Sequence, residues 1–246
     1  MAPKIIGLML ARNEDWIIGL SARAALRWCD ELIILDHAST DHTPEIVNEI
    51  SRESGRISMI RIDDPVWREM EYRQRMLEIG RSRGGQYFAM IDADEVLTGH
   101  LVTRIRGMIY SLPSARVLQL PLYAMWRNLW NYRHDASIWS RASCSVAFHD
   151  SPALCWKAKD GYEFHHREPY HSMVQPIRLG HDDGGIMHLQ WASWRRVTAK
   201  HAWYKMVETV TWPGRRSAAA IDRQYSLALN EQGIALADVP QSWWAP

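Results

Sequence analysis

The sequence predicts an α/β fold in which a mixed, mainly parallel sheet is flanked by helices. Four apolar runs of strand length, at residues 4–10, 31–36, 56–62 and 87–91, alternate with stretches of helical periodicity. This alternation is typical of parallel sheets whose two faces are covered by helices. After Gly99 the alternation ceases, so we expect a less regular C-terminal region.

Local signals justify the predicted elements in turn. The helix expected at 43–53 has Thr43 as its N-cap and Pro44 at its first helical position. Gly84 and Gly85 end the third helix before the fourth strand. The other predicted elements are helices at 15–29, 67–83, 100–112 and 188–210, a strand at 115–126, and strands with long loops over 128–181.

Length and composition limit the class of protein. The 246 residues suffice for one large domain, and we expect a single domain over 1–246. The 29 Lys and Arg balance 28 Asp and Glu, so charge gives no indication of a nucleic-acid partner. The 3 Cys are scattered and form no CxxC pair, which predicts neither a disulfide framework nor a cysteine zinc site.

The N-terminal apolar run is short. Residues 5–10 are too few for the core of a signal peptide or for a membrane span. We therefore expect a cytoplasmic protein without a transmembrane segment. The sequence leaves peripheral membrane contact and the oligomeric state open.

Polar clusters follow three of the predicted strands. Residues 12–14, 36–41 and 92–95 come at the ends of the first, second and fourth strands. In a parallel α/β sheet, ligands bind at the carboxyl ends of the strands, so these clusters predict a ligand site at one sheet edge. Because Asp, Asn and Ser also favour turns and helix caps, each cluster alone fits ordinary turn chemistry.

Asp92 and Asp94 form a D-x-D pair at the end of the fourth strand. Two carboxylates in this position suit a Mg²⁺ or Mn²⁺ ion that also bridges phosphates. The run DADEV also resembles the nucleophile strand of haloacid-dehalogenase-type phosphatases, in which Asp92 would attack phosphorus and Asp94 would act as acid and base. The run HDDGG at 181–185 is similar to their late acidic motif. In those phosphatases the D-x-D strand normally comes first, whereas three strands precede it here.

Three motifs occur in the order MLARNEDWIIG, LIILDHASTDHTPEIV and YFAMIDADEVLTG. In order and spacing they resemble the donor half of family 2 glycosyltransferases of the GT-A fold, over residues 4–99. The resemblance implies a Rossmann-like nucleotide-sugar-binding half at 1–99, an acceptor-side half at 100–190 and a C-terminal helical extension at 191–246. It also implies metal-dependent, inverting transfer of a sugar from a nucleoside diphosphate to a hydroxyl acceptor on a glycan, lipid or other molecule.

The resemblance implies roles for individual residues. Arg73 matches an arginine of the donor pocket, and the D-x-D pair would hold the diphosphate through Mn²⁺ or Mg²⁺. Asp92 would also orient the ribose, and Asp94 would take part in catalysis. His37 and Ala38 stand where many members have Asp and Gly, so the nucleotide base is open, with a UDP-sugar favoured over GDP- or dTDP-sugars. The other positions implied to bind the donor are Arg12, Asn13, Glu14, Asp36, Ser39 and Asp41.

Downstream, FHHREPY at 164–170 resembles the His-Glu motif of small members of the family. Glu168 is the expected general base, and a solvated loop carboxylate is the alternative. His188 matches a histidine that completes the metal site or contacts diphosphate, and imidazole suits Mn²⁺ better than Mg²⁺. It also fits a structural histidine at a strand end. The other carboxylates considered for the base are Asp135, Asp150, Asp160, Glu163, Asp182 and Asp183.

A third interpretation belongs to another functional class. A protein without catalytic activity could bind a nucleotide or a glycan on the same fold, and it would bind a donor without turning it over.

Overall fold

The structure, a computed structural model, describes residues 3–157, 167–170 and 176–244. The His165–His166 pair and the carboxylates Asp160 and Glu163 lie outside these residues. The contacts divide the chain into two compact units. The first comprises Met1–Pro121, Ser143–Ile186 and Gln241–Pro246, and the second comprises Leu122–Ala142 and Met187–Pro240.

The N-terminal part of the first unit alternates strands and helices as the sequence predicts. Its elements are β1 (Ile5–Ala11), α1 (Ile18–Ala25), β2 (Glu31–His37), α2 (Thr43–Ser54), β3 (Ile57–Ile62), α3 (Glu69–Ser82) and β4 (Tyr87–Asp92). These strands lie in the order β3, β2, β1, β4, and all three neighbouring pairs are parallel. The predicted α/β fold is thus confirmed.

The chain then becomes less regular, also as predicted. The following elements are β5 (Glu95–Leu97), α4 (Gly99–Val102), α5 (Ile105–Tyr110), β6 (Val117–Ala124), β7 (Asn131–Arg133), β8 (Ser143–His149), β9 (Ile177–Arg178) and β10 (Ile186–His188). Strand β8 pairs antiparallel with both β4 and β6, which makes the sheet mixed. The prediction of one helix at 100–112 was wrong, because α4 and α5 are separate and Arg104 N–H bonds to Leu101 O in a tight turn between them.

The core of the first unit lies around the parallel strands. All seven residues of β1 are buried, as expected for a strand covered on both faces. Phe88 and Phe148 pack with ring centroids 5.5 Å apart. A Cβ atom at Gly80 would approach the Phe88 ring to 2.4 Å, and one at Gly85 would approach it to 2.8 Å. Glycine at these two positions therefore lets α3 and the turn after it pack closely on β4.

The second unit is built mainly from helices and aromatic side chains. Its later elements are α6 (Trp194–Thr211), α7 (Ala218–Leu229) and β11 (Leu236–Asp238), which pairs antiparallel with β7. Trp126 and Trp191 stack with centroids 5.7 Å apart, and the Arg127 guanidinium lies 4.3 Å from the centroid of a Trp194 ring. The helix predicted over 188–210 begins later, because a short 3₁₀ turn at Leu189–Ala192 precedes α6. Helix α7 lies within the C-terminal helical extension expected at 191–246, although the sequence did not predict its bounds.

Within the three described stretches of the chain, no helix combines the length and the apolar character that a membrane crossing requires.

Candidate functional site

The strand register brings the predicted polar clusters to one sheet edge. Ala11 at the end of β1 pairs with Asp36 on β2, and Leu10 pairs with Asp92 on β4. The two carboxylates therefore leave the strands on either side of β1. This is the edge at which parallel α/β sheets bind ligands.

Side chains tie the loop after β1 to the loop after β2. The Asn13 N–H donates to Ser39 Oγ at 2.8 Å, and Asn13 Oδ1 accepts from the Thr40 N–H at 2.8 Å. Asn13 has a φ of 55°, a left-handed conformation that asparagine tolerates better than most residues. The Glu14 N–H donates to Thr43 Oγ1 at 2.7 Å. Asn13 and Ser39, both predicted to bind the donor, thus hold these loops together.

The prediction that Thr43 caps α2 was wrong. The helix begins at Thr43, and the Thr43 hydroxyl accepts from Glu14 instead. Asp41 supplies the local acceptors, since its Oδ1 accepts from the Thr43 N–H at 3.0 Å and its Oδ2 from the Asp15 N–H at 3.1 Å. Burial raises the pKa of the Asp41 carboxyl, but the hydrogen bonds from Thr43 and Asp15 outweigh burial and hold the pKa below its ordinary value.

Asp36 is the most unusual carboxylate of this edge. Its side chain is fully buried, and within the described residues neither oxygen has a hydrogen-bond partner. Its nearest cation is the Arg61 guanidinium, with Nη1 at 3.8 Å from Oδ2. Leaving buried polar atoms without hydrogen bonds is costly, so this position favours a ligand that brings N–H or O–H groups.

Arg12, which is half-buried, and His37, which is buried, form a polar pair next to Asp36. Arg12 Nη1 lies 3.1 Å from His37 Nδ1, and His37 Nε2 lies 3.0 Å from Asp64 O. A guanidinium can only donate and a carbonyl can only accept, so His37 is neutral with its proton on Nε2. Burial, followed by the charge of Arg12, lowers the pKa of His37, and burial lowers the pKa of Arg12. Trp67 and Tyr72 pack on the imidazole, each with a ring centroid 5.1 Å away.

Asp92 lies between two arginines. Arg73 is buried, donates through Nε to Glu69 Oε1 at 2.9 Å and places Nη2 3.5 Å from Asp92 Oδ1. Arg167 places Nη1 3.1 Å from Asp92 Oδ2. Arg73 was predicted from sequence to belong to the donor pocket, whereas Arg167 was not singled out.

Arg167 is the main residue that the sequence reading missed. Its guanidinium donates to both Glu95 carboxylate oxygens at 2.8 and 2.7 Å, to Met90 O at 2.7 Å and to Ser145 O at 2.5 Å. Burial lowers the pKa of this guanidinium, but the charges of Glu95 and Asp92 raise it well above its ordinary value. The only signal in the sequence was that this arginine directly precedes Glu168.

Asp94 is buried beside Asp92, and Ser21 Oγ donates to the carbonyl of the intervening Ala93 at 2.6 Å. Among the residues that the structure describes, no group of three or more His, Cys, Asp or Glu side chains is arranged to hold a metal ion. Mg²⁺ is often bound by only one or two carboxylates together with substrate phosphates. The D-x-D pair fits an ion that binds together with a diphosphate better than a permanently held ion.

The two downstream candidates lie in different units. Glu168 is exposed in the first unit, and its Oε1 accepts from Gln119 Nε2 at 2.9 Å and from the Ser145 hydroxyl. His188 ends β10 in the second unit, where its carbonyl accepts from the Met125 N–H at 3.2 Å. The predicted roles of Glu168 as base and His188 as metal ligand stay predictions.

Several solved structures are similar to this chain. S. aureus TarS 1–349 in complex with UDP-GlcNAc is 12% identical, with 92% of this chain and 72% of that chain covered and a TM-score of 0.49. GalNAc-T7 with UDP, GalNAc and Mn²⁺ is 12% identical, with 91% and 54% covered and a TM-score of 0.46. The mannosyltransferase PcManGT from Pyrobaculum calidifontis with GDP-Man and Mn²⁺ is 14% identical, with 61% and 45% covered and a TM-score of 0.40. This chain thus spans about half the length of the last two.

One protein-family model matches more than half of the chain. No curated protein matches the chain. The family model described as glycosyl transferase family 2 matches residues 11–174, which include the ends of β1, β2 and β4 as well as Arg167 and Glu168. The chain belongs to glycosyl transferase family 2.

Proposed function

We propose that this protein transfers a sugar from a nucleoside diphosphate donor to a hydroxyl acceptor. The observation that carries the proposal is the buried Asp36 carboxylate, which has no hydrogen-bond partner among the described residues and lies at the ligand-binding edge of the sheet. A nucleobase N–H or a ribose hydroxyl would supply the hydrogen bonds that Asp36 lacks. His37 and Arg12 next to it would supply further polar groups to the nucleoside.

Asp92 and Asp94 would hold Mn²⁺ or Mg²⁺ together with the donor diphosphate. When bound, the ion would neutralise charge that develops on the departing diphosphate. Arg73 and Arg167 hold the Asp92 carboxylate from both sides, which fixes its orientation before the donor arrives. We therefore assign Arg167 as a positioning residue for Asp92.

The proposed transfer is a single displacement that inverts the sugar C1. The acceptor oxygen forms a bond to C1 while the bond from C1 to the diphosphate oxygen breaks. Glu168 takes the proton of the acceptor hydroxyl. The contacts of Glu168 with Gln119 and Ser145 support this role, because they fix a carboxylate in the residue adjacent to Arg167. We propose a UDP-sugar as the donor, because the first three sequence motifs resemble those of family 2 glycosyltransferases and that resemblance favours UDP.

Calorimetric titration with UDP and with GDP, each with and without Mn²⁺, tests the proposal. We expect UDP to bind more tightly with Mn²⁺, and Asp36→Asn to weaken binding by about tenfold or more, since a buried amide cannot accept in the same way as a carboxylate. Glu49→Gln, a change at an exposed carboxylate of α2, is the matched control and should bind as the wild type does.

Two results would contradict the proposal. One is a failure of every nucleoside diphosphate to bind under either condition. The other is hydrolysis of a generic aryl phosphate that Asp92→Asn abolishes, which would favour the phosphatase alternative.

A further inference from the structure

Charge is distributed unevenly between the two units. The second unit contains ten Lys and Arg and five Asp and Glu, whereas the rest of the chain contains 19 and 23. The near-neutral total therefore conceals an excess of five positive charges on the second unit. Its acids are largely engaged within the unit, for example Glu231 with Arg127, Asp135 with Arg133 and Asp222 with Lys205.

Exposed apolar side chains are concentrated in the same unit. Of the ten large apolar residues exposed in the described chain, seven lie in the second unit, which holds fewer than a third of all residues. Single exposed apolar residues are ordinary, whereas exposed apolar residues that adjoin one another mark an interaction surface. The members include Leu129, Trp130, Ile138, Met206, Val210 and Leu227.

One face of α6 combines both properties. The exposed positions of this helix include Ala199, Ala202, Met206 and Val210, which follow one another at intervals of three or four residues. Met206 is 55% exposed and Val210 is 73% exposed. Glu208 is the only acid of α6, and it is buried in an ion pair with Arg216. The exposed residues of α6 are therefore these four apolar residues together with Arg195, Thr209 and Thr211, and none of them is acidic.

The turn at Asn128–Asn131 presents further apolar surface. Asn128 Oδ1 accepts from the Trp130 N–H at 2.7 Å and from the Asn131 N–H at 2.8 Å, which fixes the turn. The Trp130 side chain at its tip is 69% exposed. Tryptophan is enriched where proteins meet the interface between lipid and water, because its ring is apolar and its N–H is polar.

We propose that the second unit docks on a membrane surface that contains anionic phospholipids. Positive charge is attracted to anionic headgroups, and exposed Trp, Met and Val side chains can enter the boundary between headgroups and acyl chains. An anionic membrane accounts for both the exposed apolar residues and the excess of positive charge. A protein partner that binds the apolar residues would account only for the first. This inference goes beyond the donor chemistry and does not depend on it.

Co-sedimentation of the full chain with vesicles tests the inference. We expect binding to vesicles of phosphatidylcholine with phosphatidylglycerol, little binding to phosphatidylcholine alone, and a loss of binding at high salt. Met206→Glu should weaken vesicle binding by about tenfold, since it removes an apolar side chain and adds repulsion. Leu20→Glu is the matched control, because Leu20 is 50% exposed on a helix of the first unit, and this variant should bind as the wild type does.

Three results would overturn the inference. The first is a wild type that sediments with neither vesicle type, and the second is a Leu20→Glu variant whose binding is weakened as much as that of Met206→Glu. The third result is self-association without vesicles that Met206→Glu abolishes, which would identify a second copy of the chain as the occupant. UDP titration of Met206→Glu separates this test from the proposed function, because nucleotide binding should be unchanged.

Discussion

At the scale of single residues, the carboxylates of the candidate site differ in the partners that surround them. Asp92 is held between Arg73 and Arg167, whereas Asp36 is buried without a hydrogen bond among the described residues. A carboxylate already bonded to arginines is fixed in orientation, and one without partners is available to a ligand. This contrast assigns Asp92 to the diphosphate end of the donor and Asp36 to its nucleoside end in our proposal.

Arg167→Lys should reduce kcat/KM for the donor by about 10- to 100-fold, because an ammonium group cannot reproduce a guanidinium that bonds several oxygens at once. Steady-state kinetics, corrected for the folded fraction, measure the effect. Arg81→Lys is the matched control, since Arg81 also makes a two-pronged contact with a carboxylate, Asp150, and bonds two carbonyls. Both variants should lose stability, but only Arg167→Lys should lose donor binding. Equal kinetic losses in the two variants would assign Arg167 a purely structural role.

The neutral state of His37 predicts a dependence of stability on pH. Its pKa is lower in the folded protein than in the unfolded chain, so below about pH 6.5 the unfolded chain binds more protons. Stability should therefore fall as the pH decreases through this value and should be fully present above it. Denaturant unfolding of wild type and His37→Gln between about pH 5 and 8 should show a shallower slope for the variant. Identical slopes for wild type and His37→Gln would refute the assignment.

Sequence reasoning located part of this site and missed the rest for a physical reason. Asp36 and Asp92 could be predicted because a strand pattern alone places its last residue at the sheet edge. Arg167 could not, since its importance arises from contacts with residues 72 and 75 positions away along the chain. No local periodicity in its surroundings indicates such a contact.

At the scale of elements, the loops after β1 and β2 form a connected platform. Backbone N–H groups of the first loop donate to Ser39, Asp41 and Thr43 of the second. The sequence motifs of these loops therefore encode contacts between the loops as well as a ligand site. In these loops the sequence alone does not distinguish a residue that stabilises a turn from one that binds a ligand. The distinction requires the contacts between the two loops, which only the structure shows.

Thr43→Val should destabilise the protein by about 1–3 kcal/mol, because it leaves the buried Glu14 N–H without its acceptor. Chemical denaturation measures the free energy of unfolding. Thr40→Val is the matched control on the same loop, where the hydroxyl is exposed and its contact with Asn13 is 3.4 Å long, so its effect should stay within about 0.5 kcal/mol. A Thr43→Val protein as stable as wild type would show that the loops are not held in this way.

The regular elements were the more predictable part of the fold. Strands β1 to β4 and helices α2 and α3 follow from apolar runs and from signals such as Pro44 and Gly84. The separation of α4 from α5 was not predicted, because helices of 4 and 6 residues depend on tertiary packing more than on local pattern. For α7, the sequence predicted a helical extension without the bounds of this helix.

At the scale of the whole molecule, the sequence combines a family 2 glycosyltransferase sheet with a second unit of opposite charge balance. The donor would bind at the carboxyl edge of the first unit's strands. The second unit would bind a surface rather than a small molecule.

The most direct measurement of the central claim is the release of nucleoside diphosphate from UDP- and GDP-sugars in the presence of Mn²⁺. We predict release from at least one UDP-sugar by the wild type, with transfer to water or to an added acceptor. Asp92→Asn should lower the rate by about 100-fold or more, since it weakens the interaction with the departing diphosphate. Glu49→Gln, at an exposed carboxylate of α2, should release the product at the wild-type rate. The absence of nucleoside diphosphate from every donor with the wild type, or equal rates for wild type and Asp92→Asn, would contradict the claim.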